Sequence, residues 1–131
     1  MSVSPSFPAT TLSEKERFLS SVIQVLQNDP ILRVSTANIR AHVLRAQAHY
    51  DYGMIDEALR DISEALAVAP QVVPDTNLVG ALVGHAYRTR ADCFLALNQK
   101  EEAEEALLHW ARCDPSRRTK AMKEIQLLRQ M

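Results

Sequence analysis

A chain of 131 residues is the size of one domain and carries enough apolar matter to bury a core without metal or disulfide support. Fifteen Lys and Arg against sixteen Asp and Glu leave a net charge of −1, which argues against nucleic acid or an anionic membrane surface as the main partner. Hydrophobic residues reach 47% while aromatic residues are 5%, so the apolar mass is mostly Ala, Leu, Val and Ile, a mixture that favours helices over sheets.

The opening MSVSPSFPATTL is rich in Ser, Thr and Pro and has neither the basic start nor the apolar run of a secretory signal, so residues 1–12 are expected to form a disordered tail. No run of eighteen apolar residues occurs, which speaks against a membrane span. Cys93 and Cys113 are too few for a disulfide framework and do not form a C-x-x-C pair, which points to reduced thiols in a cytoplasmic setting.

A first helix is predicted to begin after Ser13, whose spacing to Glu16 is that of a reciprocal cap, and to stop at Pro30. Phe18, Val22, Val25 and Leu26 then form its inward stripe. A second helix starts at Ser35 or Thr36 and runs to Gly53, with Ile39, Val43, Ala46 and Tyr50 on one side. The third follows at once, with Ala58, Leu59, Ile62, Ala65, Leu66 and Ala69 at helical spacing until Pro70. A long fourth helix, capped by Asp75 or Thr76, carries Leu78, Leu82, Val83, Ala86, Tyr87, Phe94 and Leu97. The fifth, 100–113, places Ala103, Leu107, Trp110 and Ala111 together. The sixth, 117–130, turns Ala121, Ile125 and Leu128 inward among Lys, Arg and Gln.

Sliding the chain over itself by 45 residues lays LRAQAHYDYGMIDEALRDISEALAVAP on TRADCFLALNQKEEAEEALLHWARCDP without a gap. Arg45 meets Arg90, Ala46 meets Ala91, Ala58 meets Ala103 and Pro70 meets Pro115. Ala65 is answered by the larger Trp110, which predicts that the second pair closes less tightly there. A repeated helical hairpin explains such register.

These residues resemble the tetratricopeptide repeat, a helix–turn–helix unit with a small residue midway along its first helix, a turn Gly, small residues in its second helix and a closing Pro. Ala46, Gly53, Ala58, Ala65 and Pro70 fill those places in the first copy, and Ala91, Ala103 and Pro115 in the second, with Asn98 standing for the turn Gly. The resemblance implies an all-α superhelix of antiparallel pairs with about six helices. It forms a single domain over 13–131, with units near 39–72 and 84–117 and a capping helix at 117–130. Residues 14–30 look like the second helix of a degenerate earlier unit.

Tyr87-Arg88-Thr89-Arg90-Ala91 is similar to the second repeat of co-chaperone-type domains, which grip a C-terminal carboxylate with Lys, Asn and Arg side chains. Here the matching places hold Val43, Gln47 and Thr89, so the fold carries over and that ligand does not. In the family the concave groove is lined by the first helix of each repeat. By position that gives Arg40, Leu44, Gln47, Tyr50 and Asp51, then His85, Arg88, Thr89, Asp92 and Leu95, as the candidate partner-binding residues.

The implied function is an adaptor that takes a peptide or helix of another protein. The alternative is a structural subunit, or a homo-oligomer, that uses exposed apolar helix edges. No G-x-S-x-G, phosphate-binding Gly loop or H-E-x-x-H occurs, and neither an enzymatic activity nor a cofactor is expected. His109 and Cys113 at i, i+4 with Cys93 on a neighbouring helix lack a fourth ligand, so no metal is expected either. His42 and His49 read as packing residues. The basic run Arg117, Arg118, Lys120 and Lys123 reads as a solvated helix start.

Overall fold

The computed structural model describes residues 8–72 and 76–131, with side chains from Glu14 and, in the second stretch, from Val79. The described residues are all-α: six α-helices, three short 3-10 turns and no strand. The helices are α1 (Pro8–Asn28), α2 (Thr36–Asp51), α3 (Ile55–Val68), α4 (Thr76–Ala96), α5 (Lys100–Cys113) and α6 (Arg118–Arg129). Each is joined to the next by a short connection and packs along it, which sets neighbours antiparallel.

The internal repeat extends to the backbone. Helices α3 and α5 start and finish 45 residues apart, as do the ends of α2 and α4. Both hairpins turn through one residue at positive φ: Gly53 at 79° and Asn98 at 60°. Met54 N donates to His49 O at 2.8 Å in the first turn, and Gln99 N to Phe94 O at 2.8 Å in the second. Asn takes the left-handed position that Gly usually fills because its short polar side chain tolerates it. Helix α4 has 21 residues against 16 in α2, the excess lying at its N-terminal end.

Helix α2 is capped by Ser35, whose hydroxyl accepts from Asn38 N at 3.4 Å. A proline follows both second-type helices, each within a 3-10 turn. The first hydrophobic cluster joins Ile39, Val43 and Ala46 to Ala58, Ile62 and Ala65, reaching Ala86 and Cys93 on α4. The second joins Ala91 to Ala103, Leu107 and Trp110 and then to Ala121, Ile125 and Leu128 of α6. Every fully buried Ile or Leu in these clusters contributes about 1.5–3 kcal/mol.

Four sequence expectations need correction. Helix α1 begins at Pro8, not after Ser13, because proline's fixed φ and missing N–H suit a first helical turn; the rest of the expected tail, residues 1–7, lies outside the described residues. The stripe that α1 buries is Leu19, Ile23 and Leu26, while Phe18 and Val25 are 67% and 65% exposed. Leu97 is exposed because α4 ends at Ala96 and leaves it in the turn. Trp110 does not loosen the second pair: Gly84, the counterpart of Ile39, gives it room, and a Cβ there would lie 3.1 Å from the indole. Asp75 and the side chain of Leu78 lie outside the described residues.

A polar clasp holds α1 to the first hairpin. Asp61 is buried and accepts from Arg45 Nη2 at 2.7 Å and from His49 Nδ1 at 2.9 Å. His49 Nε2 pairs with Glu16 of α1, and Arg45 Nη1 donates to Ser20 Oγ at 2.9 Å. His42, also buried, donates from Nδ1 to Asn38 O at 2.9 Å and accepts from Gln27. Both histidines therefore pack and bridge.

Candidate functional site

Helices α2 and α4 touch directly, whereas α3 and α5 form no comparable contact. A row of helix pairs that is close on one side and open on the other curves, and α2 and α4 lie on its inner side. On α2, Arg40, Leu44, Gln47 and Asp51 recur at three- and four-residue steps, and on α4 His85, Arg88, Asp92 and Leu95 do the same, so each set shares one helix face. Arg40, Leu44, Asp51, His85 and Leu95 are exposed; Gln47, Tyr50, Arg88 and Asp92 are half-buried. Nine of the ten expected residues thus reach solvent. Thr89 does not: it is 1% exposed and donates from Oγ1 to Gln47 Oε1 at 3.2 Å across the α2–α4 contact.

Gln47, Asp51, Arg88, Thr89 and Asp92 are held by their neighbours. Gln47 Nε2 donates to Asp51 Oδ1 at 2.8 Å. Arg88 Nη1 donates to Asp92 Oδ1 at 2.6 Å, its Nη2 pairs with Glu124 at 2.9 Å, and its guanidinium lies 5.4 Å from the Trp110 ring. One side chain of α4 therefore ties α5 and α6 to the inner face. Burial holds the Asp92 carboxyl above its ordinary value despite the opposing pull of Arg88. Burial likewise raises the Tyr50 phenol, with Asp92 adding to it, and lowers the His85 imidazole against the pull of Asp92.

Glu124 belongs to this face and escaped the sequence reading, because its pairing with Arg88 joins two helices that share no local spacing. The Glu16–His49 contact escaped for the same reason. His109 stacks on Tyr87 at 4.7 Å between ring centroids, and Cys93 is buried. No group of three His, Cys, Asp or Glu side chains gathers as metal ligands among the described residues. Arg117, Arg118, Lys120 and Lys123 are all exposed. No helix among the described residues is long and apolar enough to cross a membrane. No protein-family model, curated protein or solved structure matches the chain.

The α2–α4 side presents a face of mixed character: a cation at Arg40, apolar side chains at Leu44 and Leu95, and a carboxylate at Asp51.

Proposed function

We propose that this chain is a protein-binding module of tetratricopeptide-repeat type, an adaptor rather than an enzyme, working in a reducing, cytosol-like compartment. The repeat type is supported by helix bounds that recur at a 45-residue offset and by the matching left-handed residues Gly53 and Asn98. The free thiols Cys93 and Cys113 agree with the compartment.

The observation that carries the binding reading is the inner face itself, on which Gln47, Asp51, Arg88 and Asp92 are already held by hydrogen bonds while Leu44 and Leu95 stay exposed. A partner that docks there does not have to immobilise Gln47, Arg88 or Asp92, so less ordering entropy opposes binding. Arg40 and Asp51 stand eleven residues apart on α2, roughly 16 Å at 1.5 Å per residue. A partner with an acidic group for Arg40 and a basic one for Asp51 spaces them by about five extended residues.

The positions that grip a C-terminal carboxylate in co-chaperone-type domains are closed here: Val43 and Thr89 are buried and Gln47 is engaged by Thr89 and Asp51. The face therefore favours an internal segment of its partner. Peptides selected from a displayed random library on the wild-type chain are expected to bind the Arg40→Ala, Leu44→Ala variant on the order of tenfold or more weakly, at an unchanged melting temperature. Undiminished binding by that variant removes the face from consideration. Arg88 is unsuited to this test because its loss also frees α6.

A further inference from the structure

The cleft between α5 and α6 encloses about 450 Å³ and is lined by Leu108, Ala111, Arg112, Pro115, Arg118 and Met122. These side chains supply hydrocarbon, one thioether and two guanidinium groups, and none carries an oxygen. Leu108 precedes Arg112 by four residues and Met122 follows Arg118 by four. On two antiparallel helices that spacing sets both cations at the end where α5 passes to α6, with apolar wall one turn further in. Arg112 and Arg118 are exposed and have no ion pair among the described residues, whereas Arg45, Arg88 and Arg129 are each paired. From Arg112 to Lys123 the chain carries five cations against one carboxylate, Asp114, in a molecule of net charge −1. Arg118 also opens α6, where the helix dipole disfavours a cation. Positive charge is thus gathered beside an apolar cleft with nothing in the fold to offset it.

We propose that this cleft binds a single-chain carboxylate amphiphile, a free fatty acid, with its alkyl chain along Leu108, Ala111 and Met122 and its carboxylate between Arg112 and Arg118. The volume falls within the roughly 300–1,000 Å³ of small-molecule sites. A carboxylate only accepts hydrogen bonds and a guanidinium only donates them, so the two kinds of group match in full. A peptide or a sugar seated here would bring N–H or O–H donors that no lining side chain accepts, and each one buried without a partner opposes binding. The alkyl chain needs no such partner, and its removal from water supplies the driving force. Met122, unbranched and 40% exposed, adapts to a flexible chain.

None of the lining residues belongs to α2 or α4, so failure of this proposal or of the inner-face reading leaves the other standing. Decanoate titrated into the labelled full chain is expected to shift amides within residues 108–122. It is expected to bind on the order of tenfold or more tighter than decanol, as hydrogen bonds to a charged group imply. Acetate, which has the head group without the chain, is expected to leave those amides unmoved. The Arg112→Gln, Arg118→Gln double variant is expected to bind decanoate and decanol alike at an unchanged melting temperature, since both positions are exposed. The Arg40→Ala, Leu44→Ala variant is expected to bind decanoate as the wild type does. Decanoate that binds no tighter than decanol overturns the proposal, as does a double variant that keeps the preference or a set of shifts spread over every helix. So does an acidic peptide or an anionic phospholipid vesicle that occupies the cleft where decanoate does not.

Discussion

Gly84 and Trp110 stand where the first hairpin has Ile39 and Ala65, so the large and small partners change sides between the two repeats. The exchange conserves volume across the helix pair while altering both residues, the kind of compensation that close packing demands. Trp110→Ala is expected to cost about 3–5 kcal/mol of stability, and Gly84→Ile alone about 1–3 kcal/mol, since even a Cβ meets the indole. The double variant, which copies the first hairpin, is expected to be more stable than the sum of the singles by about 1 kcal/mol or more in denaturant titrations. Strict additivity would mean that the two residues do not compensate.

Three titratable side chains give further tests at this scale. Burial, with Asp92 adding to it, pushes the Cys93 thiol up to about 11, while the half-exposed Cys113 thiol is raised chiefly by burial against the pull of Arg112. Native protein at pH 8 is therefore expected to take up iodoacetamide at Cys113 first, with Cys93 reacting only after unfolding, as peptide mass mapping would show. Asp92 has a folded-state pKa raised above the ordinary 3.8, so its charged form weakens the fold at neutral pH. The wild type is expected to gain stability relative to Asp92→Asn as pH falls from the raised value towards 3.8, and to level off below it. A difference that shrinks over that window would place the desolvation of Asp92 below the pull of Arg88.

Among the elements, α1 shows what periodicity does and does not fix. Its sequence carries two adjoining apolar stripes, Phe18–Val22–Val25 and Leu19–Ile23–Leu26, each at proper helical spacing. Spacing alone cannot choose between them; the choice is made by the clasp, because Glu16 and Ser20 must face His49 and Arg45. The second repeat solves the same joint differently: Phe94 replaces His49, Ala106 replaces Asp61, and Arg90 lies 5.6 Å from the Phe94 ring. Replacing Arg45 with Met leaves Asp61 buried beside a single donor and is expected to cost about 3–5 kcal/mol. Changing Asp61 to Leu in the same chain is expected to recover much of the loss. Thermal melts of the single and double variants check both.

At the scale of the whole molecule, the hairpin frame was legible because its signals are local and repeated. Ser35, Gly53, Asn98, Pro70 and Pro115 each mark a helix end by a backbone requirement that neighbouring residues cannot override. The buried alanines at 46, 58, 91 and 103 mark where helices approach most closely. Nine of the ten residues expected on the α2–α4 side reach solvent. The wiring among them was not legible. Thr89 is sunk between α2 and α4, and Arg88 reaches Glu124 on α6, because contacts between helices distant in sequence follow crossing geometry that no local pattern records.

The central claim, that partners are received on the α2–α4 side, is tested most directly by amide chemical-shift mapping of the labelled chain titrated with a library-selected peptide. The claim predicts that the largest shifts fall within residues 40–51 and 85–95, while α1 and the outer surfaces of α3 and α5 stay still. Shifts concentrated on α1, or along the cleft between α5 and α6, would contradict it.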